Sequence, residues 1–284
     1  LSRYLGSELA DQLAESGGLK DKTIVATVLF SDIRGFTTLT EKLGATGIVT
    51  LLNEYFTVMV DCVEKEGGQL DKFIGDALMA GFGHIIEHDD DTDRAVRSAI
   101  SMIKRLGDFN EQRKMQGEDP IAIGIGLNTE ELVVGNIGSE KQSNYTMIGD
   151  GVNLAARLES ACKQYFSRIL ISEHTYQDLK STYRMRDIDW VVVKGKTKPV
   201  TVYEILDYHT EESFPNMMEA LNHFKSGRDY YRAQKWDKAI DAFGEALSLN
   251  PDDKLSGMYI DRCKHMEANP PAKDWDGVWV MTSK

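Results

Sequence analysis

Thr23-Ile24-Val25-Ala26-Thr27-Val28-Leu29-Phe30-Ser31-Asp32-Ile33-Arg34-Gly35-Phe36 runs from a β-branched, apolar octet into a carboxylate and then a glycine. Thr23–Phe30 has the length and composition of a buried strand. A carboxylate placed directly after such a strand is held rigidly at the end of a sheet. Downstream, Ile48, Leu51, Leu52, Tyr55, Met59 and Val63 recur at helical spacing, and Gly67-Gly68 stops the long amphipathic helix they mark. Two short strand-like runs follow, Leu70–Ile74 and Ala77–Phe82, around a tight Gly75-Asp76 turn. A second helix is expected over Asp91–Arg113, with Asp89 to Asp91 favourable at its positive end.

Further along, Ile121–Leu127 and Leu132–Asn136 read as a pair of strands joined by a turn at Asn128-Thr129-Glu130-Glu131. A helix over Gly151–Lys163, a strand at Arg168–Ser172 and a hairpin across Trp190–Ile205 complete the pattern. Helices interleaved with paired strands predict an α/β (α+β) sandwich of ferredoxin-like type, elaborated at its end. Beyond about residue 210 the composition changes. Gly227, Tyr230, Ala239, Phe243, Ala246 and Pro251 match the small and large positions of one tetratricopeptide repeat. The expected organisation is a connecting segment over 1–20, a main domain over 21–210 and a helical appendage over 211–284. A single repeat is too little to stand alone, so the appendage is expected to dock on the main domain or on a protein partner. Its tail, Asp274-Trp275-Asp276-Gly277-Val278-Trp279, is too apolar to be left idle.

The 284 residues are 42% hydrophobic and 27% charged, an ordinary globular composition, with a net charge of -12. That acidity disfavours nucleic acid as a partner, and it requires locally concentrated cations for any polyphosphate substrate. Cys62, Cys162 and Cys263 are scattered and odd in number, which points to a reducing, cytoplasmic setting. No uninterrupted apolar run reaches the roughly 18 residues of a membrane span. The chain begins at Leu1 rather than Met, and it reads as an excised fragment, outside which any upstream sensor or membrane anchor would lie.

Three segments carry chemistry. Asp32 follows the first strand, and Asp76 sits at the tip of Asp71-Lys72-Phe73-Ile74-Gly75-Asp76. Two rigid aspartates brought close together repel unless cations neutralise them. Mg²⁺ suits such a pair, because it takes oxygen ligands and is commonly held by one or two carboxylates plus substrate phosphates. Read singly, Asp32 is a helix cap and Asp76 a turn residue. The third segment is Tyr145-Thr146-Met147-Ile148-Gly149-Asp150-Gly151-Val152-Asn153-Leu154-Ala155-Ala156-Arg157. On a helix, Asn153 and Arg157 are i, i+4 neighbours, and an amide beside a guanidinium suits a developing anionic oxygen.

Together the three segments, FSDIRGFT, KFIGD and GDGVNLAAR, occur in the order of the class III adenylyl and guanylyl cyclases, and residues 22–206 resemble that family. The resemblance implies that Asp32 and Asp76 bind two Mg²⁺ or Mn²⁺ ions per active site, with the Ile33 carbonyl as a further ligand. It implies that Lys72 and Thr146 contact the purine, that Asn153 orients the ribose, that Arg157 stabilises the transition state and that Lys196 binds the triphosphate. Such sites form between two subunits, so a homodimer acting on ATP is expected. Lys72 has only donors and matches the adenine N1 acceptor, whereas a guanine reader is expected to carry a carboxylate there. Thr146 departs from the aspartate common in adenylyl cyclases; its hydroxyl both donates and accepts, so it rejects guanine only weakly. Glu130 stands where the family usually has glycine, and in a turn needing φ > 0 it would be strained. Cyclic GMP synthesis and a catalytically silent binding module are the competing readings. His84-Ile85-Ile86-Glu87-His88 spells an inverted zinc-protease signature but falls in an expected loop rather than the helix that motif needs.

Overall fold

The computed structural model describes residues 21–139, 142–192 and 199–272, with Trp275 and Gly277. The expected connecting segment over 1–20, Lys196 and most of the tryptophan-bearing tail lie outside the described residues. The chain divides into two compact units, the first running up to Cys162 and resuming over Arg168–Thr182, the second formed by Lys163–Ser167 and everything from Tyr183 onward.

In the first unit, β1 (Lys22–Ile33), α1 (Phe36–Lys65), β2 (Gln69–Ile74), β3 (Ala77–Phe82), α2 (Asp91–Met115) and β4 (Ile123–Ser139) come in the order βαββαβ. Their strands lie side by side as β2-β3-β1-β4, every neighbouring pair antiparallel, which is the ferredoxin-like arrangement. β5 (Gln142–Ile148) pairs antiparallel with the far end of β4, while β6 (Ile169–Ser172) runs parallel to its near end, with α3 (Asp150–Gln164) between them in sequence. A short α4 (Glu173–Asp178) follows, capped by the Ser172 hydroxyl accepting from Thr175 N–H.

β1 is paired on both edges and buried on both faces. Side chains alternate along it. Ser31 and Thr27 point one way, their hydroxyls meeting Tyr55 of α1 at 3.4 Å and Thr92 of α2 at 3.1 Å. Ala26 and Val28 point the other way, into a cluster with Met79, Leu132, Val134, Met147 and Ala155 of α3. Each fully buried aliphatic of this kind contributes about 1.5–3 kcal/mol. α1 is long and apolar enough to cross a membrane by length and composition alone. Ile48, Leu51, Tyr55, Met59, Cys62 and Val63 are its buried residues, and its first turns are kinked at Gly44, whose φ is 67°.

The expected turn around Glu130 does not exist. β4 is one strand of 17 residues, in which Glu130 pairs with Ala26 of β1. Glu130 is not among the residues with positive φ, so the anticipated strain is absent. The polar run looked like a loop because its polarity is satisfied internally. Asn128 Nδ2 donates to the Gly151 carbonyl at 3.0 Å, Asn128 Oδ1 accepts from Ser172 at 2.6 Å, and the Thr129 hydroxyl meets that of Thr27 at 2.8 Å. Residues 132–134 pair with β1, and from Val133 onward the other edge pairs with β5, which the sequence pattern did not single out as a strand.

In the second unit, the hairpin of β7 (Met185–Val192) and β8 (Pro199–Ile205) packs with three helices, α5 (Met217–Arg232), α6 (Trp236–Leu249) and α7 (Lys254–Ala268). A Cβ on Gly227 would come within 2.7 Å of the Phe243 ring, so glycine is what lets α5 and α6 close together. The interface with the hairpin is ionic and buried. Arg186 reaches Glu204 at 2.8 Å and grips both oxygens of Asp253 at 2.9 and 3.0 Å. Asp189 accepts from Tyr165 at 2.8 Å and from Arg262 at 2.7 Å. Of the aromatic tail, Trp275 packs against Tyr231 and Trp236.

α3 presses hard against β4. A Cβ on Gly126 would lie 2.2 Å from the Ala155 carbonyl and 2.3 Å from the Glu159 nitrogen, both backbone atoms that cannot swing aside. Gly126→Ala should therefore lower unfolding stability by about 2 kcal/mol or more. Gly107→Ala, on the exposed face of α2 with nothing within 4 Å, should raise it by about 0.5–1 kcal/mol. Urea denaturation of both variants checks the pair, and equal effects would refute the close packing of α3.

Candidate active site

Asp32 stands at the end of β1, opposite Gly124 in the ladder, just before the chain turns through Gly35 (φ 67°) into α1. Asp76 stands in the turn between β2 and β3, where Gly75 takes φ 66°. Since β3 is the neighbour of β1, the turn brings the two aspartates together. Their carboxyl groups are within hydrogen-bonding reach, and the Asp76 carboxyl is pushed up to about 6, first by burial, then by the hydrogen bond and charge of Asp32. Backbone N–H groups of Asp76 and Ile33 offset part of that rise. Ile33 is buried beside them, its N–H donating to Asp32 Oδ1 at 3.0 Å.

A third carboxyl, Glu159 of α3, faces the same spot. It is pushed up to about 7, chiefly by burial and then by the charge on Asp32, with Arg34 opposing. Gly124 makes room for it: a Cβ there would sit 2.8 Å from the Arg34 guanidinium and 2.9 Å from Glu159 Oε1. Sequence reading missed Glu159, because a glutamate two residues after Arg157 on an amphipathic helix looks like part of a solvated face.

Asn153 and Arg157 both lie on the exposed side of α3, whose buried side is Leu154, Ala155, Leu158 and Cys162. At about 100° per residue, Glu159 is some 200° around the helix from Arg157. Arg157 thus faces away from the side of α3 that meets Asp32, and Asn153, six residues before Glu159, lies about 120° around from it.

Lys72 and Thr146 converge through a residue the sequence reading did not assign. β2 has a bulge between Leu70 and Lys72, which takes Asp71 out of the regular alternation. The Asp71 side chain is completely buried and lies 3.3 Å from Lys72 Nζ. It accepts from the Thr146 hydroxyl at 2.8 Å and from Met147 N–H at 3.4 Å. In sequence, an aspartate next to a lysine on a short strand reads as a surface ion pair, and nothing in the spacing reveals the bulge. Asn128 is likewise a residue found only in the structure: it ties β4 to the first turn of α3.

The zinc signature dissolves. His84 is buried and held down at about 4 by that burial, while His88 turns to Asp91 at 3.1 Å. Among the described residues, no three His, Cys, Asp or Glu side chains converge as a metal cage.

The family profile of the adenylate and guanylate cyclase catalytic domain matches residues 20–206, and a tetratricopeptide repeat profile matches 220–253. The terminal-differentiation-specific adenylate cyclase of Dictyostelium discoideum is 35% identical over 240 residues, covering 84% of this chain and 11% of that protein. An adenylate cyclase of Anabaena cylindrica is 39% identical over 186 residues, 63% of this chain and 36% of its own length. The chain therefore spans well under half the length of these relatives. Among solved structures, the adenylyl cyclase CyaB from P. aeruginosa is 40% identical with a TM-score of 0.62, covering 66% of this chain and 97% of that one. A crystallised guanylyl cyclase is 36% identical with a TM-score of 0.61, covering 66% and 94%. A βαββαβ sheet that gathers two aspartates at one end, matched by that profile over its whole extent, places the chain in the adenylate and guanylate cyclase catalytic-domain family.

Proposed function

We propose that the chain converts ATP into cyclic AMP and pyrophosphate at sites shared between two copies of itself. The carrying observation is the contact between the carboxyls of Asp32 and Asp76, with Asn153 and Arg157 on the exposed side of α3. Groups facing away from their own aspartates are usable only by a nucleotide held on a second copy. Two copies then make two composite sites, each taking Asp32 and Asp76 from one subunit and Lys72, Thr146, Asn153 and Arg157 from the other.

The donor set fits divalent cations of the magnesium type. The Asp32 and Asp76 carboxylates and the Ile33 carbonyl offer oxygen donors only, the donor type that a magnesium-like ion prefers alongside substrate phosphates. A pair of such ions supplies acidification of the ribose 3′-hydroxyl and neutralisation of the phosphates. Asp32 and Asp76 are the residues that would hold such ions. Asn153 orients the ribose so that its 3′-oxygen lies in line with the departing pyrophosphate. Arg157 compensates charge as it moves toward that leaving group, with Lys196 on the triphosphate.

Lys72 supports adenine over guanine, since an ammonium offers donors alone and adenine N1 is an acceptor. The adenylate cyclases among the relatives support the same choice. The likeness to a crystallised guanylyl cyclase is the observation favouring cyclic GMP. A product assay with Mg²⁺ or Mn²⁺ decides: cyclic AMP from ATP is expected, and preferential turnover of GTP or an inert enzyme would overturn the reading.

Asp32→Ala and Arg157→Ala should each lower kcat at least about 100-fold, and mixing the two should restore activity through one intact site per dimer. Absence of rescue would refute the shared site. Lys72→Glu should shift turnover away from ATP, and an unchanged purine preference would refute the base reading. Without ions, the raised Asp76 carboxyl favours folding at low pH, and that contribution is lost as pH rises through about 6. Asp76→Asn should therefore raise the ion-free melting temperature at pH 7.5 and change it little near pH 4, as read by calorimetry.

A further inference from the structure

Taken alone, a threonine hydroxyl is a poor judge of purines, because it donates to the O6 of guanine as readily as it accepts from the N6 amine of adenine. Here it is not alone. The Thr146 hydroxyl donates to Asp71 Oδ2 at 2.8 Å, and Asp71 is completely buried, so water does not compete for that bond. The carboxylate has no proton to return. Met147 N–H occupies Asp71 Oδ1 at 3.4 Å and Lys72 Nζ lies 3.3 Å from Oδ2, which together hold the carboxylate in place. Thr146 itself is buried, with 5% of its surface exposed.

We propose that Asp71 is a specificity-determining residue: by accepting the hydrogen bond of the Thr146 hydroxyl it leaves that oxygen to act toward the base as an acceptor, which selects a nucleobase bearing an amine at C6 and turns away one bearing an oxygen. The proposal rests on the reading of Lys72 and Thr146 as the base-contacting pair. An amine at C6 finds outward lone pairs. An oxygen at C6 finds two acceptors facing each other with no proton between them, a repulsive and desolvated contact. The bulge that carries Asp71 thereby couples both readers: the same carboxylate that orients the threonine also steadies the ammonium aimed at N1. Asp71 acts through Thr146 and Lys72 and touches no reacting atom, so its signature is the choice of base rather than the chemistry.

The test is kcat/KM with ATP, GTP and inosine triphosphate, which differs from ATP at C6 and N1 but lacks the guanine 2-amine. Wild type, Asp71→Asn, Thr146→Val and the double variant are compared. Asn places an amide near the threonine oxygen and frees its proton, so the ratio of ATP to inosine triphosphate turnover should fall about tenfold in Asp71→Asn and in Thr146→Val. The double variant should fall no further than the single variants, because the carboxylate works through the hydroxyl. An unchanged ratio in Asp71→Asn, or multiplying effects in the double variant, would overturn the proposal. Should Asp71→Asn fail to fold, Thr146→Val decides by itself, since a ratio unaffected by loss of the hydroxyl leaves Asp71 nothing to control. A wild-type enzyme that makes no cyclic AMP defeats the adenylate cyclase reading instead, and that outcome is distinct from wild-type activity with an unmoved ratio.

Discussion

Two carboxyl groups pressed together at the end of a sheet are the constraint to which the rest of the first unit answers. Asp32 and Asp76 repel when both are ionised, and only a frame stiffer than that repulsion keeps them adjacent. The frame is β1, paired with β4 along its whole length on one edge and with β3 over Thr27–Ser31 on the other. Buried hydroxyl contacts to α1 and α2 fix one face and an apolar cluster fixes the other. The consequence is an Asp76 carboxyl that holds its proton more tightly than usual.

Helix α3 is the second element on which the site depends, and it has two distinct faces. One carries Glu159 toward the aspartates; the exposed one carries Asn153 and Arg157. Gly126 brings the helix backbone almost onto β4, and Asn128 anchors its first turn, so the angular position of these side chains is set by the sheet. A displacement of α3 would therefore disturb both faces together.

Much of this was legible from residues alone. The apolar run of β1, the Gly75-Asp76 turn and the helical spacing of Asn153 and Arg157 are local patterns, and local patterns survive in a linear reading. What escaped was polarity satisfied at a distance. Asn128 and Thr129 imitate a loop until their partners at 151, 172 and 27 are known. Asp71 imitates a surface charge until the bulge and Thr146, 75 residues away, are seen. Glu159 was hidden by the helix that displays Arg157. In each case the deciding fact is the identity of a remote neighbour, which spacing does not encode.

The buried ions of the second unit bear on where the domain border falls. The cyclase profile ends at residue 206, yet Asp189 on β7 is neutralised by Arg262 and Arg186 is gripped by Asp253, both from helices beyond that limit. A polypeptide severed at the profile's edge would lose Arg262 and Asp253, the partners of Asp189 and Arg186, together with the helices that cover these groups. The cyclase profile and the second compact unit thus have different borders, residues 183–206 lying in both, and buried ion pairs tie the β7 and β8 strands to the helices that follow them.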